Sequence, residues 1–125
     1  MKRGLQIALG IFSLIPLAFV ILGFVSGAGR LSPEGVTVDL DNQYRYFSGM
    51  YLAITLLIWH IIPTIEKQGR LTAIVCLAIF VGGLGRVVSM MTLGTPSQSQ
   101  LVAVGIEMVV PVVFLLWQRA VASRA

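Results

Sequence analysis

The sequence predicts an all-α integral membrane protein, a four-helix transmembrane bundle with both termini cytoplasmic. Three observations carry that reading. Of 125 residues, 57% are hydrophobic and only 11% are charged, whereas an ordinary soluble domain has about a quarter charged residues. The apolar residues gather in four runs, at 4–27, 44–62, 71–93 and 101–117, each near the roughly 20 residues that cross a bilayer's hydrocarbon. Finally, Lys2, Arg3, Lys67, Arg70, Arg119 and Arg124 fall at run ends that share one side, opposite Arg30, Glu34, Asp39 and Asp41. The positive-inside rule makes the basic side cytoplasmic. The chain is expected to be a single transmembrane domain over 1–125, multi-pass in a cytoplasmic membrane.

Run 4–27 exceeds the roughly 7–15 apolar residues of a cleaved secretory signal, so it is expected to remain as a helix. Pro16 has no N–H for the carbonyl of Phe12, which predicts a kink in mid-membrane. Gly23 and Gly27 form a GxxxG pattern that lets another helix approach closely. The outer loop, 28–43, contains turn chemistry at Ser32-Pro33-Glu34-Gly35, and Val36 to Leu40 alternates as a short extended stretch would. Asp41 and Asn42 are N-cap candidates for the second helix. Tyr44 and Tyr46 at its start and Trp59 at its end suit the two interfacial belts. Pro63 should stop that helix before the charged turn at 66–70, and residues 94–100 read as an uncharged loop.

The net charge of +4 does not point to nucleic acid, because no contiguous basic patch with interleaved aromatics exists. A lone cysteine, Cys76, excludes an internal disulfide and a cysteine-based metal cluster; it reads as a small buried side chain. His60 stands alone and reads as solvated rather than as a haem or metal ligand. Gly83-Leu84-Gly85 lacks the third glycine and the preceding strand of a dinucleotide loop. Met90, Met91 and Met108 read as packing residues. No nucleophile–base pair or carboxylate pair stands out, so no catalytic residue, cofactor or metal is expected.

Two charges interrupt otherwise lipid-compatible runs, Arg86 and Glu107. Charges at such depth are costly and normally face the protein interior with a partner. Each lies about seven residues from the outer end of its helix, on the order of 10 Å deep at ~1.5 Å per residue. Adjacent antiparallel helices would set them side by side as an ion pair. Gly82, Gly85, Arg86 and Ser89 share a helical face. Tyr44, Ser48, Tyr51 and Thr55 stripe the second helix, with Arg45 at the rim. Pro111 would leave the Glu107 carbonyl without its helical donor.

The stretch Asn42-Gln43-Tyr44-Arg45-Tyr46-Phe47-Ser48-Gly49-Met50-Tyr51, then Gly82-Gly83-Leu84-Gly85-Arg86 and Gly94-Thr95-Pro96, resembles a bacterial four-helix membrane family known as domain of unknown function 4345. The resemblance covers most of the chain. It implies the four-helix fold and that Asn42, Arg45, Tyr46, Tyr51 and Arg86 belong to a shared feature; it implies no activity.

The candidate site is therefore Arg86, Glu107, Arg45, Tyr51, Tyr44, Ser48, Ser89 and Asn42, either a polar cluster that fixes helix register or a cavity for an amphiphile's head group. In the second case Arg86 is the anion contact. The leading expectation is a non-enzymatic protein that binds lipid or a small ligand, or an accessory subunit of a membrane complex. Membrane lipids, a second copy or a larger complex would be the partners, docking through helix faces such as Gly23/Gly27. A small transporter or channel component, with Arg86 and Glu107 lining the path, is the alternative. A membrane enzyme using Glu107 as acid/base ranks below both.

Overall fold

A computed structural model describes residues 1–125, and it contains helices and no strands. In chain order these are α1 (Lys2–Phe12), α2 (Leu14–Ser26), α3 (Val38–Ile61), α4 (Gly69–Leu93) and α5 (Gln98–Ser123), with short 3₁₀ turns at Ala28–Arg30 and Ile62–Lys67. Four helical stretches, Lys2–Ser26, Val38–Lys67, Gly69–Leu93 and Gln98–Ser123, are long and apolar enough to cross a membrane. Large apolar side chains along them, among them Ile21, Leu56, Leu77, Val88, Val109 and Leu116, are exposed. Water would make so much exposed apolar surface unfavourable, whereas lipid does not. The fold class is the expected one: an all-α, four-span membrane protein.

The chain divides into two compact units, Ile7–Ile62 and Met1–Gln6 with Pro63–Ala125. In the first unit α2 packs on α3; in the second α4 packs on α5.

Within the Ile7–Ile62 unit, the first span is interrupted at Ser13, one turn before Pro16. This is the expected proline effect, displaced upstream because the missing donor and the ring both act on the preceding turn. Ser13 keeps helical dihedrals, so the interruption is local. Its hydroxyl, almost fully buried, donates to the Gly10 carbonyl at 2.6 Å and accepts from Trp59 Nε1 at 3.0 Å. Trp59 is thus tied to the middle of the first span, not simply to a headgroup layer.

The glycines of the GxxxG pattern face α3. A Cβ on Gly23 would collide with the Ser48 hydroxyl, and one on Gly27 with the Asp41 carboxylate and the Arg45 guanidinium. Gly27 also has φ +69°, which a side chain disfavours. This close approach is used inside the chain.

The second helix starts earlier than expected. Thr37, not Asp41 or Asn42, is its N-cap, and its hydroxyl accepts from the Leu40 N–H at 3.2 Å. Val38 to Leu40 are therefore helical rather than extended. The alternation there is overridden by a cap plus Asp39 and Asp41 in the first turn, where carboxylates oppose the positive end of the helix dipole. At the other end, α3 stops at Ile61 as Pro63 requires, but the chain winds on as 3₁₀ through Lys67.

In the other unit, Gln118, expected to mark the end of the fourth span, is buried inside α5. Its amide donates to the Ile65 carbonyl of the 3₁₀ turn at 2.9 Å, beside the Gln68 N–H that the same carbonyl accepts at 3.2 Å. Lys2 pairs with Glu66 at 3.0 Å nearby. Helix α5 runs without interruption through the buried Pro111.

Candidate functional site

The approach of α4 to α5 is set at Gly83. A Cβ there would lie 2.9 Å from Met108 Sδ and 3.2 Å from Glu107 Cβ, so the missing side chain leaves room for these two α5 side chains. Arg86 follows Gly83 by three residues and shares its helical face. The close contact at Gly83 therefore delivers Glu107 to Arg86, and Arg86 Nε donates to Glu107 Oε2 at 2.8 Å. Both side chains are partly buried, 26% and 17% exposed.

A third member was not anticipated. Arg86 Nη1 also donates to the Gln100 side-chain carbonyl. Gln100 was read as loop, whereas α5 begins at Gln98. The available signal was its spacing: Gln100 precedes Glu107 by seven residues, two turns along one face. With both partners in place, Nη2 of Arg86 has no protein acceptor, and neither the Ser89 hydroxyl nor the Gln100 amide nitrogen has a protein partner. Arg86, Ser89, Gly94, Pro96 and Gln100 line a small recess of about 90 Å³ at this end of the α4–α5 pair. That is room for a few waters or one small polar group. Gly82 and Gly85 have nothing within 4 Å of an added Cβ, and it is Gly83 that meets α5.

The α3 residues have other partners, in the Ile7–Ile62 unit. Arg45 Nε bonds Asp41 Oδ2 at 2.8 Å, and its Nη1 donates to the carbonyls of Phe24 and Val25 at 2.7 and 3.1 Å. Those carbonyls belong to the last turn of α2, which has no intrahelical donors and favours a cation. Asp41 Oδ1 accepts from the Ala28 N–H at 2.8 Å. Arg45 and Asp41 thus close the end of α2 and start the loop that follows. Tyr44 accepts from Arg30 at 3.2 Å, Ser48 sits against Gly23, and Tyr51 packs on Phe19 with ring centroids 5.7 Å apart. Asn42 is exposed and lines, with Asp41, Arg45 and loop residues such as Ser32 and Thr37, a wider open recess of about 570 Å³.

Four apolar spans, each helix pair holding a latch of opposite charges, define a multi-pass membrane protein. The family model for Domain of unknown function (DUF4345) matches residues 4–118, and the chain belongs to that family. No curated protein and no solved structure matches it.

Proposed function

We propose that this protein is a non-enzymatic membrane protein that holds the polar end of a membrane amphiphile in the Arg86 recess. The observation behind this reading is the partly used guanidinium. Glu107 and Gln100 fix Arg86 through Nε and Nη1, leaving Nη2 at a recess too small for a whole ligand but suited to one head group. Exposed Val88, Met91 and Leu93 on the same helix offer apolar surface along which a lipid tail could lie. The only carboxylate at the site is committed to Arg86, which argues against acid/base chemistry there. In this reading the basic ends at Lys2, Lys67, Arg70 and Arg124 put both termini in the cytoplasm of a bacterium, across its inner membrane.

Native mass spectrometry of gently extracted protein tests the proposal. The wild type should retain a lipid-sized adduct that Arg86→Gln loses. Identical spectra from the two proteins would refute it.

A further inference from the structure

We infer that the Arg86 recess selects an amphiphile whose polar end is uncharged and offers carbonyl oxygens, in preference to an anionic head group. The inference rests on the binding reading above and adds the ligand's chemical class.

The argument begins with charge. An unaccompanied arginine in a lipid-facing helix would draw a phosphate or carboxylate, and the cavity reading of the sequence makes Arg86, paired with Glu107, an anion contact. Here Glu107 already supplies the anion, 2.8 Å from Nε. A second anion at the recess would meet attraction from Arg86 and repulsion from Glu107 together, and would lose its own hydration in a medium where that loss is costly. The pair leaves the site close to neutral overall.

Hydrogen-bonding capacity is not cancelled in the same way. Arg86 Nη2 and the Gln100 amide nitrogen are donors only, and the Ser89 hydroxyl can donate as well. Gln100's own carbonyl, the one good side-chain acceptor besides Glu107, is occupied by Arg86. The side chains that line the recess therefore offer more free donors than free acceptors. An uncharged carbonyl oxygen satisfies those donors without bringing charge. Two membrane sources carry that chemistry, the glycerol ester carbonyls of a lipid and the ring carbonyls of an isoprenoid quinone.

Detergent-solubilised protein titrated with defined amphiphiles and read by native mass spectrometry separates these cases. The probes are a diacylglycerol, a phosphatidic acid with the same chains, and a short-chain isoprenoid quinone. Wild type should bind the diacylglycerol or the quinone more tightly than the phosphatidic acid, and whichever neutral probe binds identifies the source. Glu107→Gln keeps a hydrogen-bonding side chain but removes the balancing charge, so the ratio of phosphatidic acid to neutral-probe binding should rise on the order of tenfold.

Equal binding, or any wild-type preference for phosphatidic acid, would overturn the neutral-ligand inference and leave the binding proposal standing. So would a Glu107→Gln protein that folds yet keeps the wild-type ratio. If that variant does not fold, the wild-type ratio decides alone. Retention of all three probes by Arg86→Gln at wild-type levels would instead refute the binding proposal itself.

Discussion

At Arg86, three properties of one side chain meet: a fixed charge, a planar set of donors and a position deep in an apolar helix. Removing the side chain leaves Glu107 partly buried and unpaired, and this is the costly way to break an ion pair. Arg86→Ala should therefore lower the stability of the detergent-solubilised protein by about 1–3 kcal/mol, less than a fully buried pair because both groups keep some exposure. Arg124→Ala, at the exposed chain end, should change it by less than about 0.5 kcal/mol. Thermal melting of both variants decides the matter, and equal midpoints would sink the pairing argument. Gly27 offers a second residue-level test. Gly27→Ala meets both a positive φ and the Asp41–Arg45 pair, so it should destabilise by roughly 1–3 kcal/mol, while Gly10→Ala, with open space around it, should be neutral or slightly stabilising. The Arg86–Glu107 pair was legible in the sequence because two costly charges at matched depth on neighbouring antiparallel helices have few other ways to be satisfied. Arg45 was legible as important but not as a helix cap, because its acceptors are backbone carbonyls about twenty residues away, and carbonyls carry no sequence signature.

At the scale of elements, the ends of helices rather than their middles were hard to read. The four apolar runs located the spans, since lipid dictates their length and composition. Their termini depend on single side chains: Thr37 capping α3, Gln118 bridging to the 3₁₀ turn, Gln100 drawn into α5. Polar residues of these kinds serve equally in loops, so composition alone assigned them there. The break at Ser13 makes a checkable statement about α1 and α2. Ser13→Ala removes the acceptor of Trp59 Nε1 and should shift the emission of Trp59, measured in a Trp117→Phe background that isolates it. Loss of that buried hydrogen bond should cost about 1 kcal/mol. Unchanged emission would mean that the indole is not held by Ser13.

For the whole molecule, the sequence expectation of four spans stands on composition, and each span has its helix. The orientation proposed here has its own test. With Cys76 replaced by Ala, single cysteines at Ser32 and at Gln68 should label differently with a membrane-impermeant maleimide applied to intact cells, Ser32 reacting and Gln68 not. The opposite pattern would invert the topology. The division into Ile7–Ile62 and the remainder was not legible, because the four runs look alike in composition and their pairing is decided by a few glycines, notably Gly23 and Gly83, that sit among other glycines with no neighbour at all.

The closure of α2 by Arg45 and Asp41 bears on how such a chain is made. During synthesis, α2 is complete some twenty residues before Arg45 exists, so the carbonyls of Phe24 and Val25 wait on solvent or lipid head groups. The end of α2 is closed only when the start of α3 emerges. Stalled nascent chains give this a direct readout: those whose exposed portion ends at residue 40 should leave the Gly27–Ala28 bond, buried in the full structure, open to protease, and those extended through residue 50 should protect it. A latch carried by the following helix makes the hairpin, rather than the single span, the smallest piece of this protein in which the end of α2 is closed.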